Sequence, residues 1–216
     1  MNIFFWADQH WDDDRLELLG RPFDTVGEMN AALVENYNRL VNPDDLVFWV
    51  GDVAAKPSGL RFVDKCLGKK VLLRGNYDRP YSDDIFRRYF YDVRAEGEGL
   101  VLNTFLHNYC GKTLKDFGWN HEEDIYLVHY PTQGCVDRLN VVAHVHNSWH
   151  IQPNMINVGV DCNHFRPVSL KRLDFLYTGI KTFHDDDTFI AYNPINTENR
   201  HKLGKVGTSY FKNKAQ

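Results

Sequence analysis

Cysteine is scarce. Four thiols occur in 216 residues, at Cys66, Cys110, Cys135 and Cys162, and no two stand close enough to make a CxxC pair. That spacing argues against a disulfide framework or a thiolate metal ribbon and fits reduced thiols. Long apolar runs are missing too, since none approaches the roughly 18 residues that a membrane span needs, so no membrane partner is expected. The apolar start Asn2–Ala7 is short, lacks a basic flank and meets Asp8 at once, so it does not read as a secretion signal. The expected compartment is the cytoplasm, that of a host cell if the gene is viral. Basic excess is absent, with 25 Lys and Arg against 29 Asp and Glu, which excludes a grip on long nucleic acid driven mainly by charge. No internal repeat or low-complexity linker appears.

What is present is the composition of a globular chain, 43% hydrophobic and 14% aromatic. A chain of this length buries roughly 70–75% of its unfolded surface and needs no staples. Residues 1–180 are expected to form one domain, followed by an extension, 181–216. Its final stretch carries Arg200, Lys202, Lys205, Lys212 and Lys214 and no acid, and reads as a solvated end.

A short apolar run ending in a metal-capable residue recurs along the chain. Ile3–Ala7 leads into Asp8-Gln9-His10, and Leu46–Val50 into Gly51-Asp52. Val71–Arg74 leads into Gly75-Asn76-Tyr77-Asp78, Ile125–Val128 into His129, and Val141–Ala143 into His144-Val145-His146. Runs of this length, rich in Val, Phe and Leu, read as buried strands. In α/β proteins such strands present functional groups just beyond their carboxyl ends. Further strands are expected at Gly99–Phe105 and Ile156–Val160.

Helices separate the early strands. Thr25-Val26-Gly27-Glu28 fits a capping box, and Met29, Leu33, Tyr37, Leu40 and Val41 follow on one face. Leu60–Leu67, closed by Gly68, and a segment starting at Ser82-Asp83-Asp84 are weaker helical patterns. The βαβαβ order favours an α/β fold with a partly parallel sheet.

Asp8, His10, Asp52, Asn76, His129, His144 and His146 supply seven oxygen and nitrogen donors beside apolar strands. Each alone has an ordinary reading as a turn or a hydrogen-bonded histidine. So many hydrophilic groups at the ends of buried strands cost stability unless something compensates them. A pair of divalent cations would do so. Imidazole and carboxylate donors without thiolate suit manganese, iron, nickel or zinc, with manganese taken first here. Asp52, central in the set, could bridge two ions about 3.5–4 Å apart. On a strand, His144 and His146 would share one face.

The order Asp-x-His, Gly-Asp, Gly-Asn-x-Asp, His, His-x-His resembles the calcineurin-like metallophosphoesterases, over Asn2 to about Leu173. It is closest to their small bacterial and phage-type members through Arg21-Pro22-Phe23, Glu28-Met29, Pro43-Asp44-Asp45, Val128–Pro131 and Asn157–Asp161. The resemblance implies a sandwich of two mixed β-sheets flanked by helices. It implies one metal held by Asp8, His10, Asp52 and His146 and a second by Asp52, Asn76, His129 and His144. It also implies hydrolysis of phosphoester bonds by an activated water.

Two departures stand out. The family usually has His where this chain has Tyr77, at the position assigned to the general acid, with the next acid, here Asp78, orienting it. A phenol of pKa about 10 is a poorer proton donor at neutrality than an imidazolium near about 6.5. The expected substrates are therefore activated or strained small phosphoesters, such as aryl diesters and cyclic nucleotides, with nucleic-acid ends and general phosphomonoesters as alternatives. His107, His121, His150 and His164 are alternative proton donors. Ala143 replaces a common Gly, with little effect expected on ligation. Asn76 and Arg79 are the expected substrate contacts, with Arg74 and Arg21 as further arginines to weigh, Arg21 leaning to a structural role. Asp12-Asp13-Asp14 and Asp185-Asp186-Asp187 read as solvated loops. The reading from a different class is a catalytically silent metal-binding interaction module.

Overall fold

The computed structural model describes residues 1–183. The basic stretch Arg200–Gln216 and the run Asp185–Asp187 lie outside the described residues. Ten strands form two mixed sheets. The first is built from β1 (Ile3–Trp6), β2 (Leu46–Trp49), β3 (Lys69–Leu73), β4 (Asp92–Arg94) and β10 (Val168–Ser169), in the order β10-β1-β2-β3-β4. β1 to β4 are mutually parallel, and β10 runs antiparallel to β1. The second sheet is built from β5 (Leu100–Val101), β6 (Ile125–Leu127), β7 (Leu139–Val142), β8 (Ile151–Gln152) and β9 (Met155–Asn157), in the order β5-β6-β7-β9-β8. Here β6, β7 and β9 are parallel, with β5 and β8 antiparallel at the edges. This is the α/β sandwich of two mixed sheets that the resemblance implies.

The period of two along each strand builds the core. Ile3, Phe5, Leu46, Phe48, Val71 and Leu73 point inward to meet Ile125, Leu127, Leu139, Val141 and Ile156 of the second sheet. Phe4, Trp6, Val47, Trp49 and Leu72 face the other way, against Met29, Leu33 and Tyr37 of α1 (Val26–Asn38). The first sheet is therefore covered on both faces, as parallel sheets require. α2 (Asp83–Phe86), α3 (Leu102–Cys110) and α4 (Leu170–Phe183) complete the described helices, and Leu102 and Leu106 of α3 join Leu170, Leu173 and Leu176 of α4 around the inter-sheet core. α4 crosses the boundary expected at residue 180. No described helix is long and apolar enough to cross a membrane.

Several expectations change in detail. Thr25 caps α1 by accepting the Glu28 N–H at 3.1 Å, but the Glu28 carboxylate reaches the Asp24 N–H rather than that of Thr25, so only half of the box forms. Leu40 lies past the helix end and is 42% exposed. Leu60–Leu67 falls on a 3₁₀ segment, Pro57–Lys65, and Gly68 follows it in the left-handed region at φ +81°. The strand expected over Gly99–Phe105 is only Leu100–Val101, because Leu102 and Leu106 bury at helical spacing and α3 takes over. The strand expected over Ile156–Val160 stops at Asn157, and Val160 begins a 3₁₀ turn.

Candidate metal centre

Because β1, β2 and β3 are parallel, their carboxyl ends lie at one edge, and the loops after them keep pairing. The Asp8 N–H donates to the Gly51 carbonyl at 3.0 Å, and the His10 N–H to the Asp52 carbonyl at 3.1 Å. From the second sheet, Ala143 N–H donates to the His129 carbonyl at 3.1 Å. A parallel bridge between Ala7 and Gly159 joins the two sheets at this edge. All five ligand-bearing segments therefore arrive at one place.

Two constellations share one carboxylate. Asp8, His10 and Asp52 each offer a donor atom within 4.8 Å of the others, as do Asp52, His129 and His144. Asn76 joins the second group, its Oδ1 lying 3.3 Å from His129 Nε2 and 3.0 Å from His144 Nδ1. His146 stands beside the first group, its ring 5.0 Å from that of His10. The seven donors named from sequence are thus brought together.

The backbone shows what this gathering costs. Asp8, His10, Asp52, His144 and His146 all adopt positive φ, between 48° and 73°. Each such residue costs on the order of 1–3 kcal/mol, and such strain concentrates at functional sites. Asp and His are among the few types that tolerate it. His144 and His146 are accordingly not on a strand: β7 ends at Val142, and both follow it in left-handed turns. Glycine serves where no side chain fits. A Cβ on Gly75 would run into the Asp52 carboxylate, and one on Gly51 would lie 2.5 Å from His129 Nδ1.

Hydrogen bonds fix the imidazoles. His129 Nδ1 donates to the Val50 carbonyl at 2.7 Å, which turns Nε2 toward the centre. His146 Nδ1 contacts Asp161 Oδ2 at 2.8 Å. Asp161 in turn takes Arg21 Nε at 2.8 Å, and Arg21 also donates to the carbonyls of Asp8 at 2.6 Å and Gln9 at 2.8 Å. Arg21 is buried and structural in its contacts. Asp161 had no role assigned from sequence, because its partner Arg21 lies 140 residues away.

Burial and charge oppose each other across the cluster. Burial pushes the Asp8 carboxyl above its ordinary range. Burial also raises Asp52, but the facing imidazoles of His10 and His129 outweigh it and hold Asp52 well below the usual carboxylate range. Burial lowers His129, yet the Asp52 carboxylate overrides it and pushes the imidazole up to about 9. For His144, burial dominates and lowers the pKa.

His10 is the decisive side chain for a metal. It is completely buried, and neither ring nitrogen has a hydrogen-bond partner among the described residues. Nε2 lies 3.5 Å from Asp52 Oδ2 and Nδ1 3.5 Å from Asp13 Oδ2, both too long for good bonds. An orphaned buried imidazole beside two carboxylates fits a site for a divalent cation.

Tyr77 and Asp78 take different places. The Tyr77 N–H donates to Asp52 Oδ1 at 2.8 Å, and its ring packs edge-on against His10 at 4.4 Å. Asp78 is buried and accepts the N–H groups of Asp52, Val53 and Gly75 at 2.8–3.0 Å. Both oxygens are engaged with backbone, so Asp78 is a positioning residue that clamps the Asp52 and Gly75 loops rather than a partner for the Tyr77 hydroxyl. Burial raises its carboxyl to about 6.

The remaining candidates are committed elsewhere. Arg79 is exposed and forked onto Glu96, with both N···O distances 2.6 Å. Arg74 binds Asp83 and the carbonyls of Asp78 and Tyr81. Asp13, expected in solvent, is buried behind His10 and forked by Arg15. Of the alternative proton donors, His107 sits exposed on α3, His121 packs on Trp119 and Tyr177, and His150 bonds Asn163. His164 is exposed.

No family model matches the chain. An uncharacterized protein of Methanocaldococcus jannaschii is 27% identical over 179 residues, covering 78% of this chain and 86% of that protein. The gene 66 protein of Mycobacterium phage L5 is 23% identical over 188 residues, covering 74% and 86%. A protein of unknown function from Aquifex aeolicus has a similar structure, with TM-score 0.56 and 18% identity over 81% of this chain and 98% of that one. That likeness shows the fold.

Proposed function

We propose that the chain is a metal-dependent phosphoesterase of calcineurin-like type, with Asp8, His10, Asp52 and His146 holding one divalent cation and Asp52, Asn76, His129 and His144 a second. The observation that carries the reading is His10, completely buried with both ring nitrogens unpartnered among the described residues, beside the shared carboxylate Asp52. Bound there, a pair of divalent cations, manganese foremost, supplies Lewis acidity to a water and to a phosphoryl group.

The chain's own residues do the rest. Asp161 turns His146 toward the centre, and the Val50 carbonyl does the same for His129. Asp78 locks the two loops that carry Asp52 and Asn76. With its Oδ1 directed at His129 and His144, Asn76 keeps an amide N–H₂ for a phosphoryl oxygen. Tyr77 packs on His10 at the position the resemblance gives to a general-acid histidine, and a phenol is the weaker general acid near neutrality. Activated or strained esters therefore suit the site best, which favours aryl diesters and cyclic nucleotides over alkyl monoesters.

The test is hydrolysis of aryl phosphomonoesters and diesters with added Mn²⁺, with Asp52→Asn as control. Metal-dependent turnover that the substitution reduces to the metal-free background is the expected result. Tight metal binding without turnover would leave the interaction-module reading instead.

A further inference from the structure

Two side-chain stacks flank the centre, one on each side, and they are built from the same four kinds of group. On the first side Tyr77 packs on His10 at 4.4 Å and 74°. The Arg15 guanidinium lies 5.1 Å from the Tyr77 ring centroid. Arg15 is forked onto Asp13, Nε to Oδ1 at 2.9 Å and Nη2 to Oδ2 at 2.6 Å. On the second side Tyr130 packs edge-on against His129 at 4.9 Å and His144 at 4.8 Å. Its hydroxyl donates to Glu96, and Arg79 is forked onto the same Glu96. The first therefore reads imidazole, tyrosine, arginine, carboxylate, and the second imidazole, tyrosine, carboxylate, arginine, with Arg79 Nη2 3.4 Å from the Tyr130 hydroxyl.

The charges are as informative as the geometry. Asp13 and Glu96 each cancel the arginine they hold, so neither flank is a cationic socket for a dianion. Both arginine side chains remain open to solvent, 39% exposed for Arg15 and 64% for Arg79. Nε and Nη2 are engaged in both forks, which leaves Nη1 to donate. Each flank thus offers a tyrosine ring and a fixed N–H donor without net charge. Such a surface suits a neutral organic group that carries a π-face and hydroxyls.

We propose that the two stacks are the seats of the two organic arms of a phosphodiester, one arm on Tyr77 and Arg15, the other on Tyr130 and Arg79. The inference rests on the phosphoesterase reading and names its substrate class as diesters with aryl or nucleoside arms. A phosphomonoester has one arm and an extra negative charge. It leaves one stack empty and finds no surplus cation on either flank. A diester fills both stacks with a single charge between them.

The test uses binding rather than turnover. The full chain, stripped of metal with a chelator, is titrated calorimetrically with the dinucleotide thymidylyl-thymidine and, separately, with thymidine monophosphate. Arg15→Ala and Arg79→Ala are each expected to weaken the dinucleotide about tenfold, the scale of one stacking or cation contact. Only one of them is expected to weaken the monophosphate. Circular dichroism checks that both variants keep the parent fold. The proposal is overturned if the parent chain does not bind the dinucleotide, if either substitution leaves dinucleotide affinity unchanged, or if both weaken the two ligands equally. Turnover measured on metal-loaded parent protein is read separately: its absence, with the binding pattern intact, removes the enzyme reading and leaves the two seats.

Discussion

The two halves of the centre are held in different ways. Asp8, His10 and Asp52 are at most 1% exposed and sit on loops that extend the backbone ladder of β1 and β2. His144 is exposed, and Asn76 and His146 are half-buried. His146 keeps its place through Asp161 and through Asn157, which donates to its carbonyl at 2.8 Å. The deep half is fixed by the sheet, while the open half depends on individual side chains. Geometry that must not move is built on backbone pairing, and geometry that meets a ligand is left adjustable from behind.

Replacing Tyr77 with His probes that contrast most strongly. The residue stands between the deep His10 and solvent, and a general acid is typically worth about 10²–10⁴ in rate. Tyr77→His is expected to raise turnover of alkyl phosphomonoesters toward that range and to change aryl diesters much less. Equal rates for parent and variant on both substrates would show that position 77 is not beside the leaving group.

Asp161→Asn attacks the support of His146, the half-buried member of the group that also contains Asp8, His10 and Asp52. Loss of such a hydrogen-bonded carboxylate typically weakens metal binding about 10–100-fold. Calorimetric titration with Mn²⁺ should show the component assigned to Asp8, His10, Asp52 and His146 falling in that range while the one assigned to Asp52, Asn76, His129 and His144 stays within about a factor of two. Uniform weakening of both would mean that the halves are not independent.

The smallest effect is expected for His144→Asn on the metal-free chain, since Asn tolerates the left-handed backbone at this position. The side chain is exposed and bonds only the Asn76 amide among the described residues, so unfolding in urea should shift by no more than about 0.5 kcal/mol. A larger loss would place His144 in the framework with Asp8 and erase the distinction.

Legibility in the sequence follows the same division. β1, β2 and β3 were readable because each is a continuous apolar run ending in a polar ligand, the mark of a strand buried on both faces. The two-residue strands β8 and β10 carry no pattern of their own and exist only through their partners. Gly99–Phe105 misleads because a short apolar run fits strand and helix alike, and burial of Leu102 and Leu106 decides it. In the site, the seven donors could be named because each follows an apolar run. Strand periodicity fails for His144 and His146, since positive φ replaces alternation there. Asp13 lies three residues from His10 and Arg15 two from Asp13, inside a run that reads as solvated, while Tyr130, Glu96 and Asp161 gain their places through contacts across the fold. Only two of these last left a local trace: Tyr130 follows His129 directly, and Asp161 closes the Asn157–Asp161 segment.

The most direct test of the central claim is an anomalous difference map from a crystal grown with excess Mn²⁺. Two peaks are expected, both in contact with the Asp52 carboxylate, one among Asp8, His10 and His146 and the other among Asn76, His129 and His144. A map without peaks there, or with manganese bound only at surface carboxylates, would contradict the account.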